Sequence, residues 1–200
     1  MTGNNFSPSS HSEGFTLVET LLALTLLSAV AISLFYFFTN AMAYTSYNQG
    51  RTVAVNVARG VAAYMERLDF SQLKNYVTSQ NEFVQLTSDD CERQEKIFPD
   101  RQLCQAQLAP TINNVHYDQG RVAVFLIPYD PAVWERLKSS PPESFPRSLR
   151  DRINEETDEI KQSDPRLGQY LLKMYVLVRW GDRIEEAEWV EGVITDETIR

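Results

Sequence analysis

Between Thr20 and Gln49 the sequence contains no Asp, Glu, Lys, Arg, Gly or Pro, and before Arg51 it contains no Lys or Arg at all. Without breakers or charges, nothing interrupts a helix here, and nothing opposes its passage into lipid. At about 1.5 Å rise per residue, residues 15–38 are long enough to cross a hydrocarbon layer of about 30 Å. Histidine is nearly absent too, with only His11 and His116, and there are two cysteines, Cys91 and Cys104. A metal site needs more ligands than these, so no metal and no cofactor are expected. The sequence also lacks a Gly-rich phosphate loop, a nucleophile elbow and a paired acid couple, so no catalytic residue is nominated and no enzyme is expected. Its charge of −8, from 19 basic and 27 acidic residues, argues against bulk binding of nucleic acid.

What is present begins with Glu19, set four residues inside the start of the apolar stretch. A carboxylate left unpaired in lipid costs on the order of a few kcal/mol, so it needs a partner. No basic residue nearby in the sequence supplies one. If the chain were cut after Gly14, the new α-amino group of Phe15 would lie one helical turn from Glu19, on the same chain or on a neighbour.

Gly14-Phe15-Thr16-Leu17-Val18-Glu19, followed by an unbroken apolar helix, resembles the class III signal of type IV prepilins and of the pseudopilins of type II secretion. The resemblance implies that a prepilin peptidase cuts between Gly14 and Phe15 and that Phe15 is then N-methylated. It further implies that Glu19 pairs with the N-terminus of an adjacent subunit as the helices pack into a filament. The implied partners are the peptidase, other pilins or pseudopilins, the inner-membrane assembly platform and membrane lipid. The implied location is the bacterial inner membrane, single-pass with a periplasmic soluble domain, and then the filament. Residues 1–14 would be the leader, residues 15–39 the transmembrane and filament-core helix. Such leaders usually carry Lys or Arg just before the Gly, and this one does not. Major pilins also tend to have a proline that kinks the second half of the membrane helix. Its lack here fits a minor subunit, of a pilus or of a secretion pseudopilus.

After Phe38 the sequence turns polar but keeps a helical period. Ala54, Val57, Ala58, Val61, Met65 and Leu68 follow three-and-four spacing, so the helix is expected to run to about Leu68, with residues 40–80 forming its amphipathic second half and a short helical extension over 70–76. Gly50 and Gly60 are expected to weaken it by roughly 1 kcal/mol each. Residues 81–110 show no period and read as a connecting loop carrying both cysteines. In an exported domain, that cysteine spacing reads as a disulfide worth about 3 kcal/mol on the chain-entropy model, two free thiols being the alternative. Asp89-Asp90 reads as part of a solvated loop rather than as a calcium site.

Residues 111–200 are expected to form an antiparallel sheet domain of about four strands with an insertion over about 128–168. The strands are placed at residues 121–127, with a possible partner at 112–117, at 172–180, and at about 187–194. Met174, Val176, Val178 and Trp180 are assigned to one face of the third, and Lys173, Tyr175 and Arg179 to the other. In the insertion, residues 148–162 form a charged helix whose thin apolar stripe, Leu149, Ile153 and Ile160, suggests a solvated surface helix. Trp134, Trp180 and Trp189 are assigned to core or sheet. The fold class is therefore α+β, a long N-terminal helix packed on a small antiparallel sheet. The competing function is a membrane-anchored periplasmic binding module or enzyme on an ordinary signal anchor. Ala41-Met42-Ala43 also has the small-x-small form of a signal-peptidase site, though the apolar run is too long and lacks a positive n-region.

Overall fold

A computed structural model describes residue 14 and residues 16–80 and 82–196. The architecture is α+β, a long N-terminal helix packed through its second half on a small antiparallel sheet. Contacts divide the chain into two units, Met1–Ser46 and Tyr47–Arg200, and helix α1 (Leu17–Met65) contributes to both.

In the first unit the hydroxyls of Thr20, Thr25, Ser28, Ser33, Thr39 and Thr45 each donate to a backbone carbonyl three or four residues back, at 2.7–2.9 Å. An apolar helix carrying hydroxyls would otherwise expose unsatisfied donors to lipid; here the helix satisfies them itself.

The second unit begins with the rest of α1, which buries Ala54, Val57, Ala58, Val61, Ala62 and Met65. Helix α2 (Phe70–Gln80) follows, capped by Asp69, whose carboxylate accepts from the Gln72 N–H at 3.0 Å. Then come β1 (Val84–Leu86), α3 (Asp90–Arg93) and α4 (Arg101–Leu108). The connecting loop expected over 81–110 thus holds one strand and two short helices. Elements of three to eight residues are too short to show a period of their own, and tertiary contact holds them instead. Cys91 on α3 and Cys104 on α4 form a disulfide, and both are fully buried. Asp90 does not stand free in solvent: its carboxylate accepts from the Thr87 N–H at 2.8 Å. Replacing both cysteines by serine is expected to cost about 3 kcal/mol, read as a lowered urea midpoint at unchanged slope.

Strands β2 (Thr111–Ile112) and β3 (Val115–His116) pair only with each other, around Asn113 and Asn114 at φ 51° and 64°. Two successive left-handed residues close a two-residue hairpin, so this segment turns back on itself and does not partner the next strand. That strand, β4 (Val122–Pro128), lies between β1 and β5 (Leu171–Arg179), and β6 (Ala187–Thr195) completes the sheet in the order β1-β4-β5-β6, all antiparallel.

Both faces of the sheet are covered. Val124, Met174, Val176 and Val178 face α1 and α2 in one core. Phe125, Tyr175 and Leu177 face a second core formed with α5 (Pro131–Ser139) and α6 (Arg147–Gln162). The expectation of a solvated surface helix is therefore corrected. Leu149, Ile153 and Ile160 are all buried, and α5, absent from the sequence reading, adds the fully buried Trp134 and Leu137. A stripe too thin to hold a helix alone suffices when a second helix shares the cover.

Trp180 follows β5 and crosses the Tyr47 ring edge-on at 5.7 Å. Its indole lies so close to α1 that a Cβ on Gly50 would come within 2.5 Å of Cδ1. Helix propensity alone would make Gly50→Ala stabilising by about 1 kcal/mol. The indole has to move, so a net loss of about 1–2 kcal/mol is expected, read from urea unfolding.

Candidate processing and assembly site

The N-terminal motif is built on the start of α1. Thr16 precedes the first helical residue, and its Oγ1 accepts from the Glu19 backbone N–H at 3.2 Å, while its carbonyl accepts from the Thr20 N–H at 3.1 Å. Thr16-Leu17-Val18-Glu19 is thus an N-cap threonine followed three residues later by Glu, a pattern visible in the sequence but absent from the reading above. It starts the helix just after the expected cleavage position. Gly14 stands open, with nothing within 4 Å of where a Cβ would be. Phe15, the expected site of cleavage and N-methylation, lies outside the described residues, as does residues 1–13 of the expected leader.

Glu19 sits in the first helical turn, where the exposed N–H groups favour a negative charge. Along its side of the helix run Thr20, Ala23, Leu24 and Leu27. Leu17 and Val18 beside it are 78% and 73% exposed. Among the described residues no cation pairs with Glu19, and Arg51, the first in the sequence, is engaged by Glu188. In an 18-residue apolar window of α1 no residue is buried in the chain, and α1 is long and apolar enough to cross a membrane. The geometry therefore offers a bare apolar rod with one carboxylate near its start. Such a rod needs lipid or other rods around it.

A second polar constellation, in the unit Tyr47–Arg200, escaped the sequence reading. Lys173 on β5, assigned above to the face opposite Met174 and Val176, is only 6% exposed there beneath α6. Its Nζ pairs with the Glu156 carboxylate, itself 5% exposed, and lies 3.6 Å from Glu191. The Tyr175 hydroxyl donates to the other Glu156 oxygen, and Arg152 Nε donates to Glu191 at 3.0 Å. Burial, then the hydrogen bond to Glu156, pushes the Tyr175 hydroxyl far above its ordinary range. Burial opposes ionisation of Glu191, but the Arg152 hydrogen bond and the neighbouring Lys173 and Arg152 charges outweigh it and hold its carboxyl below the usual value. Every buried side-chain polar atom described has a partner. The cluster ties α6 to the sheet.

Residues 9–35 match the family described as the prokaryotic N-terminal methylation motif, a family of structural rather than enzymatic proteins. No curated protein and no solved structure matches the chain. The matched motif implies processing by prepilin peptidase and assembly with other pilins, and together with the apolar helix it points to membrane anchoring. The match spans Gly14, the cap at Thr16, Glu19 and the uncovered rod, and it supports a type IV pilin-like protein, cleaved and methylated at its N-terminus, in the type IV pilin and pseudopilin family.

Proposed function

We propose that the chain is a minor pilin or pseudopilin subunit, held in the bacterial inner membrane with its second unit in the periplasm, then moved into a type IV pilus or a type II secretion pseudopilus. The observation that carries this reading is the uncovered apolar stretch of α1, joined to a carboxylate for which no partner lies among the described residues. In the proposed sequence, prepilin peptidase cuts after Gly14 and the α-amino group of Phe15 is methylated. The methylated amine keeps its charge and pairs with Glu19 of an adjacent subunit. Extraction from the bilayer removes some twenty apolar residues from lipid, and helix packing in the filament core replaces that environment. Glu19 adds selectivity for axial register, because a subunit at the wrong height leaves its carboxylate unpaired. The absence of proline from α1 supports an accessory rather than a major subunit.

Mass spectrometry of the mature N-terminus tests the reading. N-methylated Phe15 supports it. Tyr44 as first residue would mean a cleaved secretory signal, and an intact Met1 a simple anchor on a periplasmic module; either outcome overturns it.

A further inference from the structure

Toward the end of its apolar stretch α1 carries three side chains to which the proposed function gives no task. Tyr36, Asn40 and Tyr44 follow one another at intervals of four residues, so they fall within about 80° of one another around the helix. All three lie in the unit Met1–Ser46 and all are exposed, each tyrosine to 70%. The hydroxyls beside them are already bonded, Thr39 donating to the Tyr36 carbonyl at 2.9 Å and Thr45 to the Ala41 carbonyl at 2.8 Å. The two phenol hydroxyls and the Asn40 amide have no partner among the described residues. Three hydrogen-bonding tips thus stand out from one face of an otherwise apolar rod.

Their height along the helix decides what meets them. A carboxylate costs least at the edge of the hydrocarbon, so Glu19 marks one boundary of the span. At about 1.5 Å per residue and a tilt of about 20°, Tyr36 then lies about 24 Å, Asn40 about 30 Å and Tyr44 about 35 Å across the bilayer from Glu19. With a hydrocarbon layer of about 30 Å, the three residues sit just inside, at and just beyond the far boundary. Tyrosine is favoured at that depth, because its ring takes hydrocarbon while its hydroxyl takes headgroup or water.

The near side of the span has no equivalent. No Lys or Arg precedes Arg51, so the basic residues that hold a helix end to anionic headgroups are missing there, and Arg51 itself is engaged by Glu188. The depth of the helix is therefore set from the far side. Lipid suits this face better than a neighbouring helix does. Helix contacts in bilayers favour small residues that let two backbones approach, and two tyrosines hold a backbone off.

We infer that Tyr36, Asn40 and Tyr44 form an interfacial anchor that binds the headgroup layer on the far side of the bilayer and sets the depth of α1. The anchor thereby holds Gly14 in the opposite headgroup layer, within reach of a membrane peptidase. The inference rests on the subunit reading above for the direction of insertion and for the cleavage it serves.

The test uses the full-length chain in vesicles of phosphatidylethanolamine and phosphatidylglycerol. Cys91 and Cys104 are bonded to each other, so a nitroxide attached through Ala41→Cys reports a single site. Its depth, read from the ratio of its collisions with oxygen and with a polar nickel chelate, is expected at the headgroup boundary. Tyr36→Leu, Asn40→Leu and Tyr44→Leu together, which keep helix propensity, are expected to draw the label about one helical turn, or about 5 Å, into the hydrocarbon. Tyr36→Trp with Tyr44→Trp is expected to keep the original depth. In cells the leucine variant shifts Gly14 with the helix, and cleavage after Gly14 is expected to slow at least about tenfold. A label that stays within about 1.5 Å of its original depth, one residue of rise, overturns the inference. So does a spectrum broadened by a second labelled copy, or cleavage of the leucine variant at the original rate. An intact Met1 on the unsubstituted chain overturns the subunit reading instead; the vesicle measurement needs no cleavage and decides the anchor separately.

Discussion

Glu19→Ala is expected to leave membrane insertion and cleavage after Gly14 intact and to lower incorporation into filaments at least tenfold. The helix itself loses little, because Thr16 still caps it through Oγ1. What disappears is the one negative charge between Thr16 and Gly50. A charge-assisted pair in a water-poor helix bundle is worth about 1.5 kcal/mol or more, which is a factor of roughly 10 in the assembly equilibrium. Glu19→Gln should behave like alanine if charge is what matters, and Glu19→Asp should recover part of the loss. The measurement is the amount of each variant in sheared filaments relative to its amount in the membrane. A variant without the carboxylate that enters filaments at the wild-type ratio would remove the role assigned to Glu19.

The largest stability effect is expected at Glu156. Glu156→Ala leaves Lys173 buried beneath α6 with Glu191 as its remaining carboxylate at 3.6 Å, and leaves the Tyr175 hydroxyl without its acceptor. Removing one partner of a buried pair costs about 3–5 kcal/mol, because the other charge stays desolvated. Lys173→Met combined with Glu156→Leu and Tyr175→Phe, which removes both charges and the orphaned hydroxyl at similar volume, should restore most of that loss, as read by urea midpoints. The same cluster sets a pH window. The Glu191 carboxyl is held below its ordinary 4.5, so its stabilisation is present above that pH and is lost as pH falls through the lower folded value. The Tyr175 hydroxyl is raised above its ordinary 10.0, so its contribution is full below pH 10 and is lost as pH rises above that. Urea stability of the chain should therefore be flat between about pH 5 and 9 and fall on both sides.

The sequence and the structure agree where the pattern is long. The apolar run through Phe38, the three-and-four spacing from Ala54 to Met65 and the alternation through Met174, Val176 and Val178 each extend over several residues, and each lies where the pattern puts it. Agreement fails where elements are short or where polar residues are buried. The three residues of β1 and the four of α3 carry no readable period, and the disulfide between Cys91 and Cys104 together with burial on α1 holds them. Lys173 lies on the face assigned to it with Tyr175, and that face is buried because α6 covers it and Glu156 arrives from α6 to pair with Lys173.

At the N-terminus nearly everything followed from residues adjacent in the chain: Gly14, the cap at Thr16, the carboxylate of Glu19 and an uninterrupted apolar stretch are local facts, and a helix start is a local structure. The sequence by itself therefore determined the processing motif, the membrane-length helix and the α+β class. Only the tertiary structure decided that α5 and α6 cover the second face of the sheet, that Gly50 makes room for Trp180, and that β6 is the end strand of the sheet. These depend on which distant segments meet, and burial energies that decide such meetings are sums over many partners that no single stretch of sequence contains.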